Sequence, residues 1–113
     1  MNAADLPATL GMELERRKYF IQMEVLEQTL KRLYITVDLF VQIYRNDRYQ
    51  TTNLVLIHNH QRLFARDELD GRWHRHTHNS PEEHDTSKEG RRAVEIGEFL
   101  DEVEQVLAVL GLP

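Results

Sequence analysis

Four of the six histidines lie in one stretch, Gly71-Arg72-Trp73-His74-Arg75-His76-Thr77-His78, continued by Pro81-Glu82-Glu83-His84-Asp85. His74, His76 and His78 alternate, so an extended backbone would turn all three imidazoles to one face. Imidazoles on a common face can share a metal ion, share a proton or grip a phosphate. As a metal site, His74, His76 and His78 or His84 would supply nitrogen, and Glu83 or Asp85 oxygen. Such sites normally draw ligands from a second element, and the sequence shows no such pair, so no tightly held metal and no other cofactor is expected. As a phosphodiester-cleaving site, His74 and His76 would act as base on a ribose 2′-hydroxyl and acid on the leaving oxygen. Arg72 and Arg75 would then stabilise the phosphorane. Histidine suits both roles because its ordinary pKa of about 6.5 leaves both protonation states available near neutrality. The bland alternative is a solvated, His-rich surface loop.

The rest of the chain must present this stretch. Its 113 residues make one domain, 1–113, and a charged fraction of 29% beside an apolar fraction of 41% describes a globular domain with a thin core. The absence of cysteine excludes disulfides, a thiol nucleophile and sulfur-ligated metals. A net charge of −5 argues against general nucleic-acid binding, although protonating all six histidines would bring it to +1. There is no charged-then-apolar leader and no apolar run of membrane-spanning length, so a cytoplasmic location without membrane contact is expected.

Residues 1–11, with Pro7 and Gly11, read as a loose N-terminal arm. Residues 12–30 fit a helix or a strand; a strand over about 18–27, after a short helical turn, is favoured. Ile35, Val37, Leu39, Val41 and Ile43 occupy every second position and predict one long strand with a single buried face. Arg45-Asn46-Asp47-Arg48 supplies a turn, 49–57 returns, His58-Asn59-His60-Gln61 turns again, and 62–67 forms another strand. Links this short require antiparallel neighbours.

Thr86 with Glu89 fits a capping box at the start of a long helix. Ile96, Phe99, Leu100, Val103, Val106, Leu107 and Leu110 form its apolar stripe, and Gly111 and Pro113 stop it. Gly97, beside that stripe, suggests close approach to the sheet. The expected fold is α+β: an antiparallel β-meander of about four strands packed on a C-terminal amphipathic helix. In that reading Lys88, Arg91 and Arg92 sit in the first helical turns, where cations oppose the helix dipole. They would serve a docked phosphate or acidic partner, or pair with Glu82, Glu83 and Asp85. Trp73, His78, His84, Arg91 and Arg92 are accordingly candidate binding residues.

The order of a short meander, Asp67 at a strand end, a Gly bend, His74-Arg75-His76, Pro81-Glu82-Glu83-His84 and a helix with Phe99-Leu100-Asp101-Glu102-Val103 resembles the TumE-like toxins of prokaryotic toxin–antitoxin pairs. The resemblance covers roughly residues 33–108. Phe64-Ala65-Arg66-Asp67 stands where that family tends to have Tyr-Asp-Asn, and His78 and His84 lie outside its pattern. It implies an antiparallel sheet with a terminal helix and a cognate antitoxin protein as partner. Ribonuclease activity is inferred from the histidines themselves, with RNA as the further partner and a homodimer left open. The rival readings are a non-catalytic binding or assembly domain and a small His-rich metalloprotein.

Overall fold

The computed structural model describes all 113 residues. Six strands, β1 (Gln22–Glu27), β2 (Leu30–Thr36), β3 (Leu39–Asn46), β4 (Thr51–His58), β5 (Gln61–Leu69) and β6 (Arg72–His76), follow one another across a single antiparallel sheet in chain order. The expected meander is present, with six strands rather than about four. The undercount has two sources: one predicted strand is a hairpin, and the histidine stretch is itself a strand.

The hairpin hides inside the period-two run. Ile35, Leu39, Val41 and Ile43 are buried, but Val37 is 79% exposed at the turn between β2 and β3. A two-residue turn pairs Thr36 with Leu39 and so shifts the facing pattern by one. A bulge between Tyr34 and Thr36 shifts it back. Alternation therefore continues through a chain reversal, with no Gly, Pro or Asn to mark it.

Two of the other four turns are legible by type. Asn59 and His60 both have positive φ, as do Asp70 and Gly71, the signature of tight two-residue hairpins.

The N-terminal arm is in fact structured. After a single 3₁₀ turn (Ala3–Asp5), Leu6–Arg16 forms helix α1, with Pro7 in its first turn where the missing N–H costs nothing. Leu6 and Leu10, four apart on one face, are at most 1% exposed within the core. The favoured strand over 18–27 shortens to β1.

The C-terminal helix α2 (Ile96–Leu110) begins ten residues later than Thr86. Its cap is formed by Glu95 and Glu98: the Glu95 N–H donates to Glu98 Oε1 at 2.9 Å. Residues 86–95 are irregular, so Lys88, Arg91 and Arg92 lie before the helix, not in its first turns. Gly90 is required there for close packing, since a Cβ would come within 2.1 Å of the Asp85 carbonyl oxygen. Leu110 leaves the stripe and is exposed, and Gly111 ends the helix in the left-handed conformation. Gly97 meets α1 rather than the sheet: the Arg17 guanidinium donates to its carbonyl at 3.1 Å.

Both helices contribute to one apolar cluster with Leu33, Val41, Leu54, Leu56 and Phe64, and the Phe64 and Phe99 rings stack at 5.7 Å. The helices thus cover one face of the sheet and leave the other open. Charged groups are tied down beneath them. Arg66, fully buried, donates to both Glu102 oxygens at 3.0 and 2.7 Å and to the Glu89 carbonyl at 2.7 Å. Arg17 is enclosed by Glu13, Asp101 and Glu104. Neither helix is long and apolar enough to cross a membrane.

Candidate functional site

The histidine stretch runs as the edge strand β6, antiparallel to β5, with Asp67 opposite His74 and Ala65 opposite His76. Paired positions share a face, so His74, His76 and Asp67 lie on the sheet face away from the helices, His76 and Asp67 buried there and His74 partly exposed. The strand ends at His76. His78 therefore does not join the row; it lines a separate hollow with Phe64, Arg75 and Val106 of α2.

His84 takes the place expected of His78. Beyond β6 the chain turns at Pro81 and returns along the free edge, where Arg75 and Asp85 exchange backbone hydrogen bonds at 3.2 and 2.7 Å. Their side chains reinforce the pairing, with Arg75 Nε and Nη2 held by Asp85 Oδ2 at 2.8 and 2.6 Å. Ser87 and Arg75 hold the Asp85 carboxyl down at a pKa of about 2. This register sets residue 84 beside residue 76. The three rings pack together: His74 and His84 stack at 4.5 Å, and His76 meets each edge-on at 5.1 and 4.8 Å. One nitrogen from each ring lies within 4.8 Å of the others. The expectation of no metal assumed that no second element offers a ligand; the returning segment offers one.

Beneath the rings lies Asp67. Its Oδ2 is 3.5 Å from both His74 Nε2 and His76 Nε2, and its Oδ1 accepts from Asn53 Nδ2 of β4 at 3.1 Å. The Nδ1 of His76 bonds the Pro81 carbonyl at 2.9 Å. A carbonyl only accepts, so Nδ1 carries a proton. Burial above all, and then the charge of Arg62, push the His76 imidazole below its ordinary pKa, against the pull of Asp67.

The remaining candidates divide between the two faces. Arg72 and Arg91, both exposed, line an open hollow with His74, His84, Trp73 and a single acid, Asp70. Arg75 alternates to the helix side, where it secures the segment bearing His84. Arg92 pairs with Glu89 and Glu98 before α2, at 2.9 and 3.0 Å. Trp73 packs on the edge of the core.

Sequence reasoning missed Asp67, Asn53 and Arg62 as parts of the site. A signal for Asp67 existed: a two-residue turn centred on Asp70-Gly71 necessarily pairs residue 67 with residue 74. No protein-family model matches this chain, and neither a curated protein nor a solved structure does.

Proposed function

We propose that this chain cleaves RNA phosphodiesters at the His74–His76–His84 centre, as a TumE-like toxin component restrained by a cognate antitoxin protein. The observation that carries the reading is the convergence of three imidazoles from two segments beside a hollow walled by two exposed guanidiniums. A basic group at the centre takes the proton of a ribose 2′-hydroxyl as that oxygen bonds to phosphorus. The bond from phosphorus to the 5′ oxygen breaks as that oxygen accepts a proton, leaving a 2′,3′-cyclic phosphate. Arg72 and Arg91 face the charge that builds on the phosphoryl oxygens. Arg75 acts through the loop that it anchors.

The test is cleavage of single-stranded RNA by the purified chain, with product ends identified. His74→Ala and His84→Ala, matched to the parent in melting temperature, should lose roughly 10²–10⁴-fold of the rate. Cleavage or growth arrest that survives both substitutions would end the enzymatic reading. The second reading, a non-catalytic binding domain, would then lead. It draws on the exposed Ile21, Val25, Leu26 and Val37 at the opposite end of the sheet.

A further inference from the structure

We propose that His74, His76 and His84, backed by the Asp67 carboxylate, bind one divalent transition-metal ion of the zinc class. The first argument is spacing. A tetrahedral ion with bonds of about 2.0–2.1 Å sets its donor atoms roughly 3.3–3.4 Å apart. Asp67 Oδ2 lies 3.5 Å from each of two imidazole nitrogens, and the three rings bring their donors within 4.8 Å of one another. Asp67 and the two β6 imidazoles already sit near that spacing.

The second argument is orientation. The proton on His76 Nδ1 is committed to the Pro81 carbonyl, so Nε2, 3.5 Å from an Asp67 carboxylate oxygen, is the ring nitrogen available to a metal. At 3.5 Å the contact is longer than a usual hydrogen bond. A cation bound by both atoms would fit that spacing. The backbone bond to Nδ1 and the Asn53 bond to Asp67 are also what metal centres use to hold their ligands in orientation.

The third argument separates a metal from a proton. A proton bridges two atoms; here a third ring is brought in from another segment, by the backbone pairing of Arg75 with Asp85 and their paired side chains. Three neutral nitrogens and one carboxylate suit zinc, cobalt, nickel or copper, whereas magnesium and calcium prefer shells of oxygen.

Binding is read without RNA, so the inference stands or falls apart from phosphodiester cleavage. Tag-free chain, stripped with a chelator and dialysed, is titrated with Zn²⁺ by calorimetry and with Co²⁺ by visible absorption. The expected result is one ion per chain, an intense low-symmetry cobalt spectrum and a melting temperature that rises with metal concentration. His84→Ala removes an exposed ligand without disturbing the sheet and should weaken binding at least about tenfold; Asp67→Asn should weaken it roughly 10–100-fold. His60→Ala, in an exposed turn, should change nothing. Absence of saturable binding overturns the inference, as does binding that His84→Ala and Asp67→Asn leave intact.

Discussion

Arg66 and Asp67 are neighbours on β5 and point to opposite faces of the sheet, and the two charges meet different fates. Beneath the helices every nitrogen of Arg66 finds an oxygen, as does every guanidinium nitrogen of Arg17 among Glu13, Glu104, Asp101 and the Gly97 carbonyl, and Arg45 pairs through Nε and Nη1 with Asp47 and Glu68. On the open face Asp67 has one oxygen bonded to Asn53 and the other set between two imidazoles at 3.5 Å. Saturated charges hold a fold together, because breaking one leaves its partner buried and unpaired. A carboxylate left short of a positive partner, and surrounded by potential ligands, is arranged to receive one.

The comparison is tested most severely at Arg66. Arg66→Ala leaves the Glu102 carboxylate without its bidentate partner and should cost about 3–5 kcal/mol, a large share of the stability of a domain this size. Asp67→Asn on the other face should lower the denaturation midpoint far less. Equal losses in chemical denaturation would erase the distinction between the two faces.

A smaller effect is expected from Gly90→Ala. The added methyl would meet the Asp85 carbonyl at 2.1 Å, and displacing that backbone should cost roughly 1–3 kcal/mol. Because Asp85 adjoins His84, metal affinity and RNA cleavage should fall with it. A Gly90→Ala chain with normal stability and normal metal binding would mean that the loop is not held by this contact.

Arg75→Ala tests the anchor more gently. The ion pair with Asp85 is partly solvated, so its loss should cost no more than about 1 kcal/mol. The segment bearing His84 should nevertheless loosen, seen as faster amide exchange at Asp85 and weaker metal binding. Arg92→Ala, whose partners sit away from the histidines, should leave metal binding unchanged.

The smallest effect concerns acid. The Asp85 carboxyl is held at about 2 against an ordinary value of 3.8, so the folded chain favours its ionised form. Its contribution is complete above about pH 4 and is lost as the pH falls toward 2. Asp85→Asn should therefore flatten the decline in melting temperature over that window. An unchanged slope would assign the decline to other carboxyls.

Much of this architecture could be read from the chain because it rests on local rules. Period-two burial marked the meander, helical spacing marked α2, and Gly111 marked its end. Local rules also misled where two of them cancelled: the turn and the bulge of the β2–β3 hairpin preserve alternation, so one strand was expected where there are two. Gly11 and Pro7 suggested an arm, although Pro7 opens a helix and Leu6 and Leu10 bury its face. In the site, alternation alone put His74 and His76 on one side of a strand.

What the sequence by itself determined is the row on β6, since facing along a strand follows from the pleat. Which further groups complete that row depended on pairing across the sheet and along its edge. The Asp70-Gly71 turn sets Asp67 opposite His74, and the Arg75–Asp85 pairing brings His84 to His76 while His78 departs to the helix side. Contacts between residues distant in sequence carry no local periodicity. Asp67 followed from a local hairpin rule, whereas only the tertiary structure could choose His84 over His78 as the third ring that meets the two histidines.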